Sequence, residues 1–77
     1  MSNLSKINTF TGFYDNKGVA LFLNDSIYDS HHICHGVIDR YKDSYAYIVT
    51  DQISNLCGSI YPLHENPGLL KDLTKIV

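Results

Sequence analysis

Turn signals recur along this chain at intervals too short for any regular element to be long. Asp15-Asn16-Lys17-Gly18 is the strongest, because Asp and Asn open turns and Gly accepts a positive φ. Asn24-Asp25 is a second break and Lys42-Asp43-Ser44 a third. Between them lie short runs rich in β-branched and aromatic residues. Residues 9–14, 19–23, 26–28, 36–41, 45–50 and 56–61 each have strand length and strand composition. In the 45–50 run, Tyr45, Tyr47 and Val49 fall on one face and Ala46, Ile48 and Thr50 on the other. Residues 29–35 fit either a loop or the start of a strand, and residues 51–55 a loop or a bulge.

The period changes near the C-terminus. Asn66 can cap and Pro67 fits a first helical position, and Leu69, Leu70, Leu73 and Ile76 follow at helical spacing. The expectation is a mostly β fold, a small bent sheet or segmented β-barrel, with one short C-terminal helix over residues 67–77. Residues 1–8 are polar and aperiodic and read as an N-terminal arm, so a single domain spans 9–77.

Composition narrows the function classes. The chain has 77 residues, so two packed domains are excluded. At 44% hydrophobic and 18% charged it can bury a core. Its net charge of -2 lacks the basic excess of a strongly electrostatic nucleic-acid binder. No apolar run approaches the ~20 residues of a membrane span. No basic stretch followed by an apolar one opens the chain, so the expectation is a soluble, cytoplasmic protein with no membrane partner. Cys34 and Cys57, the two cysteines, do not make a disulfide framework, and thiols are expected. Abundant Ile, Asn, Lys and Tyr, with two Ala and one Arg, follow AT-rich codons and point to a bacterium, phage or plasmid.

Three groups of residues could carry chemistry. His31, His32, Cys34 and His35 crowd into five positions, a density that invites a metal. A tetrahedral zinc site wants four N or S ligands on one ion. On a strand, His31 and His35 share one face while His32 and Cys34 share the other, so one strand cannot aim all four. A loop could place two or three, with Asp29 or His64 completing the set. The plainer reading is a polar loop with surface imidazoles, and no cofactor is expected. Cys34 beside His32 and His35 also suggests a thiol nucleophile. That chemistry needs an activated thiolate, an oriented base and a pocket, for which so short a chain has little volume. No catalytic residue is assigned.

The tyrosines are the stronger candidates. Tyr41, Tyr45 and Tyr47 cluster across one hairpin, next to Arg40. If Ala46 and Ile48 point inward, Tyr45 and Tyr47 point outward and form a protein-binding face. The competing reading packs these rings into the core. Stacking of bases on the same aromatics would give weak nucleic-acid binding, since Lys6, Lys17, Arg40, Lys42, Lys71 and Lys75 are scattered and seven Asp oppose them. The C-terminal Leu stripe either docks on the sheet or forms a homo-oligomer seam.

Thr11-Gly12-Phe13, Asp15, Gly18, Leu21-Phe22 and Asn24-Asp25-Ser26-Ile27 resemble, in order and without a gap, the opening of YopX-like phage proteins. Gly58-Ser59-Ile60-Tyr61, then Glu65-Asn66-Pro67 and Leu69-Leu70, are similar to that family's ending. The middle, Gly36-Val37-Ile38 to Ser44-Tyr45-Ala46, resembles its central hairpin more loosely. Asn24 stands where the family has Gly, Ser26 where it has an apolar residue, and Gly68 where it has Glu. Tyr61-Pro62-Leu63-His64 adds residues before the Asn66-Pro67 start. The resemblance implies a small, mostly β protein of phages or prophages, sets Cys57 at an apolar strand position as a small core hydrophobe, and brings no catalytic residues. The function expected is therefore a non-catalytic protein-interaction module from a phage or prophage, modulating a host or defence protein.

Overall fold

A computed structural model describes residues 9–76 of the protein. The expected arm, 1–8, and Val77 lie outside them. The described chain is mostly β. Strands β1 (Phe10–Tyr14) and β2 (Ala20–Phe22) form a two-stranded antiparallel hairpin. Strands β3 (Ser26–Asp29), β4 (Cys34–Tyr41), β5 (Ser44–Val49), β6 (Ile60–Pro62) and β7 (Leu73–Lys75) form an antiparallel sheet in the order β6-β5-β4-β3-β7. A 3-10 helix, Pro67–Asp72, leads into β7.

Aspartates build the turns. The Asp15 carboxylate accepts the N–H groups of Lys17 (2.8 Å) and Val19 (2.9 Å), and Gly18 takes the left-handed conformation at φ 79°. Asp25 holds the next turn by accepting the Phe22 N–H at 2.7 Å. Asn24 sits at φ 71°, so Asn serves the left-handed slot there as Gly would. Ser26 is exposed, so a polar residue there takes nothing from the core.

The core reverses the expected facing of β5. Tyr47 is fully buried and Val49 nearly so, while Ile48 is only half-buried. Tyr47 is therefore a core residue and not part of a binding face. The register gives the reason. The inner rows are Ile27–Gly36–Val49 and Ile38–Tyr47–Tyr61. Gly36 leaves space that the Tyr47 ring fills: a Cβ there would lie 2.6 Å from Tyr47 Cε1 and 2.2 Å from the Ile48 carbonyl oxygen. The Tyr47 hydroxyl is not stranded, because it donates to the Cys34 carbonyl and lies 3.3 Å from Cys34 Sγ. Burial, reinforced by the Cys34 contact, pushes the Tyr47 phenol far above its usual range.

Two further expectations change. The last apolar run is a strand only from Ile60, because residues 54–58 are folded into turns. The Cys57 N–H bonds the Ser54 carbonyl, and Gly58 lies at φ 89°. Cys57 is consequently exposed, not a core residue. The C-terminal helix is a 3-10 helix of six residues rather than a run to 77. Leu73, Thr74 and Lys75 instead pair with Asp29, Tyr28 and Ile27, where a vacant sheet edge offers more hydrogen bonds than another helical turn. Leu69 and Leu70 pack on the core and Leu73 is fully buried, so most of the Leu stripe is spent within the chain.

Both edges of the large sheet are blunted. At β7 the Leu73 carbonyl accepts the Asn16 N–H (2.9 Å), and the Lys75 N–H donates to Asp15 Oδ2 (3.0 Å). At β6, Pro62 has no N–H, and its carbonyl is taken by Asn66 Nδ2 at 2.8 Å. Among the described residues, no helix is long and apolar enough to cross a membrane.

Candidate functional site

The histidine-rich segment is the turn between β3 and β4, organised by Asp29. This last residue of β3 pairs with Cys34 on one side and Leu73 on the other, and is fully buried. A buried carboxylate must be satisfied. Oδ1 accepts the N–H groups of His31 (2.9 Å) and His32 (3.3 Å). Oδ2 lies 2.6 Å from His32 Nδ1. The His32 ring also stacks on Tyr61, with centroids 5.1 Å apart and planes at 22°. His31 meets it edge-on at 4.7 Å. His32 Nδ1 is thus directed inward, and Nε2, on the far side of the ring, points away from the carboxylate. The next residue, Ile33, is 74% exposed and lies at φ 54°, a conformation costly for a β-branched residue.

The other candidates from this stretch disperse. Cys34 is fully buried with its thiol on Tyr47, so the pairing of an exposed thiol with His32 or His35 is absent. His35 lies beside Tyr28 (5.1 Å) and Asp51 (3.4 Å). His64 lies beside Glu65 (3.4 Å). Only His31 and His32 come together. Among the described residues, no three of His, Cys, Asp and Glu are grouped to hold a metal ion.

The expected Tyr41–Tyr45–Tyr47 face with Arg40 is also split. Tyr47 is inside, and Tyr41 and Tyr45 are half-buried. At the hairpin tip Arg40 lies over the Tyr45 ring (5.7 Å) and Lys42 over Tyr41 (5.2 Å). A more exposed aromatic face lies on the β1–β2 hairpin. Phe10 contacts Tyr14 at 5.6 Å and Phe22 at 5.5 Å. Phe10 is 44% exposed, Tyr14 51% and Val19 44%. Its signal in the sequence is Phe10-x-Gly12-x-Tyr14, two aromatics at even spacing about a glycine, which sits at φ 86° where the ladder shifts register. No pocket opens among the described residues. The chain matches no family model, no curated protein and no solved structure.

Proposed function

We propose that this chain is a non-catalytic protein-binding module acting in the cytoplasm of a bacterial host, in the phage or prophage accessory role that the YopX-like resemblance implies. The supporting observation is the β1–β2 face. Phe10 and Tyr14 pack edge to face in solvent, and no pocket for a small ligand opens among the described residues. Exposed aromatic clusters of this kind are interface material, because rigid rings offer large apolar area at low entropic cost. The test is a pull-down from host lysate, with and without nuclease, using wild type and a Phe10→Ser/Tyr14→Ser double variant. A stoichiometric, nuclease-resistant protein captured by wild type and lost by the folded double variant is the expected result. Equal capture by both removes this face from the proposal.

The pairing of Arg40 and Lys42 with Tyr45 and Tyr41 favours a second reading, weak nucleic-acid binding at the β4–β5 tip. Two cations at the tip set a shallow salt dependence, a log–log slope of about -1.4 on single strands. Capture that vanishes with nuclease, carries this slope and falls in Arg40→Ala supports it.

A further inference from the structure

We propose that His31 and His32 form half of a binding site for a divalent transition-metal ion of the zinc class, and that the same pair from a second copy of the chain completes it. Three observations on the β3–β4 turn carry this. First, His32 is oriented as metal-ligating histidines are, with Nδ1 held at 2.6 Å by a buried carboxylate and Nε2 directed away from that carboxylate. Such a carboxylate–histidine arrangement orients a ligating imidazole. Second, the ring is immobilised before any ion arrives, since it stacks on Tyr61 while the turn beneath it is tied to Asp29 Oδ1. Third, the His31 ring lies 4.7 Å away at 83° to it. Two imidazoles on one tetrahedral ion have centroids about 5 Å apart, given metal–nitrogen bonds of about 2.0 Å. Imidazole nitrogen suits zinc, copper and nickel rather than calcium or magnesium.

The site is incomplete in one chain. A closed tetrahedral zinc site takes four protein ligands, and among the described residues no third His, Cys, Asp or Glu joins the pair. A two-fold axis through the ion would supply the same two nitrogens again, which is the simplest closed symmetry. The partner would also cover Ile33, which follows His32 directly and stands 74% exposed in a strained conformation. This proposal uses a different surface from the β1–β2 face and does not depend on it.

The experiment is a titration of the untagged full-length chain with zinc chloride, read by calorimetry and by light scattering on a sizing column. The expected result is one zinc ion per two chains, with a doubling of mass that chelator reverses. The exposed His31 permits a variant that leaves Asp29 satisfied. In His31→Ala, zinc affinity should fall at least tenfold and the dimer should be lost, while His35→Ala and His64→Ala behave as wild type. His32→Ala should do the same, and circular dichroism checks its fold. No zinc-dependent dimer, one ion per monomer, or an unchanged dimer in His31→Ala would each overturn the assignment.

Discussion

The turns after β1 and β3 are made by the same device and put to different ends. Asp15 and Asp29 are both buried aspartates whose carboxylates accept backbone N–H groups from the turn that follows. They differ in what the second oxygen does. Asp15 Oδ2 accepts the Lys75 N–H and so pins the edge of the large sheet to the first hairpin, across sixty residues of chain. Asp29 Oδ2 holds a side chain, His32, whose other nitrogen faces away. The left-handed slots differ as well: Gly18 fills one without strain, and Ile33 fills the other against its preference. One turn spends its hydrogen bonds entirely on the fold. The other also holds an imidazole, beside a second imidazole and an exposed apolar side chain.

Neutralising each aspartate separates the two turns most. In Asp15→Asn an N–H₂ would have to face the Lys75 N–H, or leave the Lys17 and Val19 N–H groups unpaired, and neither backbone donor can change role. A loss of about 3 kcal/mol in urea unfolding is expected, since buried hydrogen bonds to charged groups are worth about 1.5–3 kcal/mol each. Small domains have about 3–5 kcal/mol in total, so this variant should be close to unfolded at room temperature. Asp29→Asn should cost only about 1 kcal/mol, because a neutral imidazole can move its proton to Nε2 and accept at Nδ1. The ¹⁵N shift of His32 Nδ1 should then change from that of a protonated to an unprotonated nitrogen. Equal losses in the two variants would dissolve the distinction drawn between the turns.

Acid acts on the first of the two turns. Burial raises the Asp15 pKa, but hydrogen bonds from the Lys75, Val19 and Lys17 N–H groups outweigh it, leaving the carboxyl below its ordinary 3.8. The Asp15 contribution should therefore be complete above about pH 4, the unfolded value, and be lost as pH falls through the lower folded value. Urea midpoints of the wild type measured between pH 2 and 5 should fall with this loss, and a midpoint that stays flat across the range would remove Asp15 as its source.

The smallest effect has the opposite sign. Ile33→Gly should stabilise the chain by roughly 0.5–1 kcal/mol, relief of left-handed strain exceeding the entropy that glycine adds to the unfolded state. The same change should weaken the zinc-dependent dimer if Ile33 is covered there. A destabilised Ile33→Gly chain would show that its side chain supports the fold.

Much of this fold was legible along the chain. Turn residues at positions 15–18 and 24–25 declare their own conformation, because Asx hydrogen bonds and left-handed backbone are local matters. The facing of β5 was not legible. Ala46 and Tyr47 are both fully buried, so alternation alone could not say which side held the core. Gly36 decided it from eleven residues away by leaving room for the Tyr47 ring. The aromatic face at Phe10 and Tyr14 carried the signature of a strand, and its exposure followed only from the way the hairpin sits on the larger sheet.

The amino-acid sequence by itself determined that this chain is made of short strands joined by aspartate turns, because those preferences act within a few residues. It also brought His31 and His32 together, since they are neighbours. Tertiary structure alone decided that Tyr47 goes inside, that residues 73–75 leave the helix for an open strand edge, and that Cys34 and His35 part from the other histidines. It also aimed the His32 ring, because only the pairing of β3 with both β4 and β7 buries Asp29 and obliges the imidazole to satisfy it. Hydrogen-bond partners and burial are set across the sheet, between residues the sequence keeps far apart.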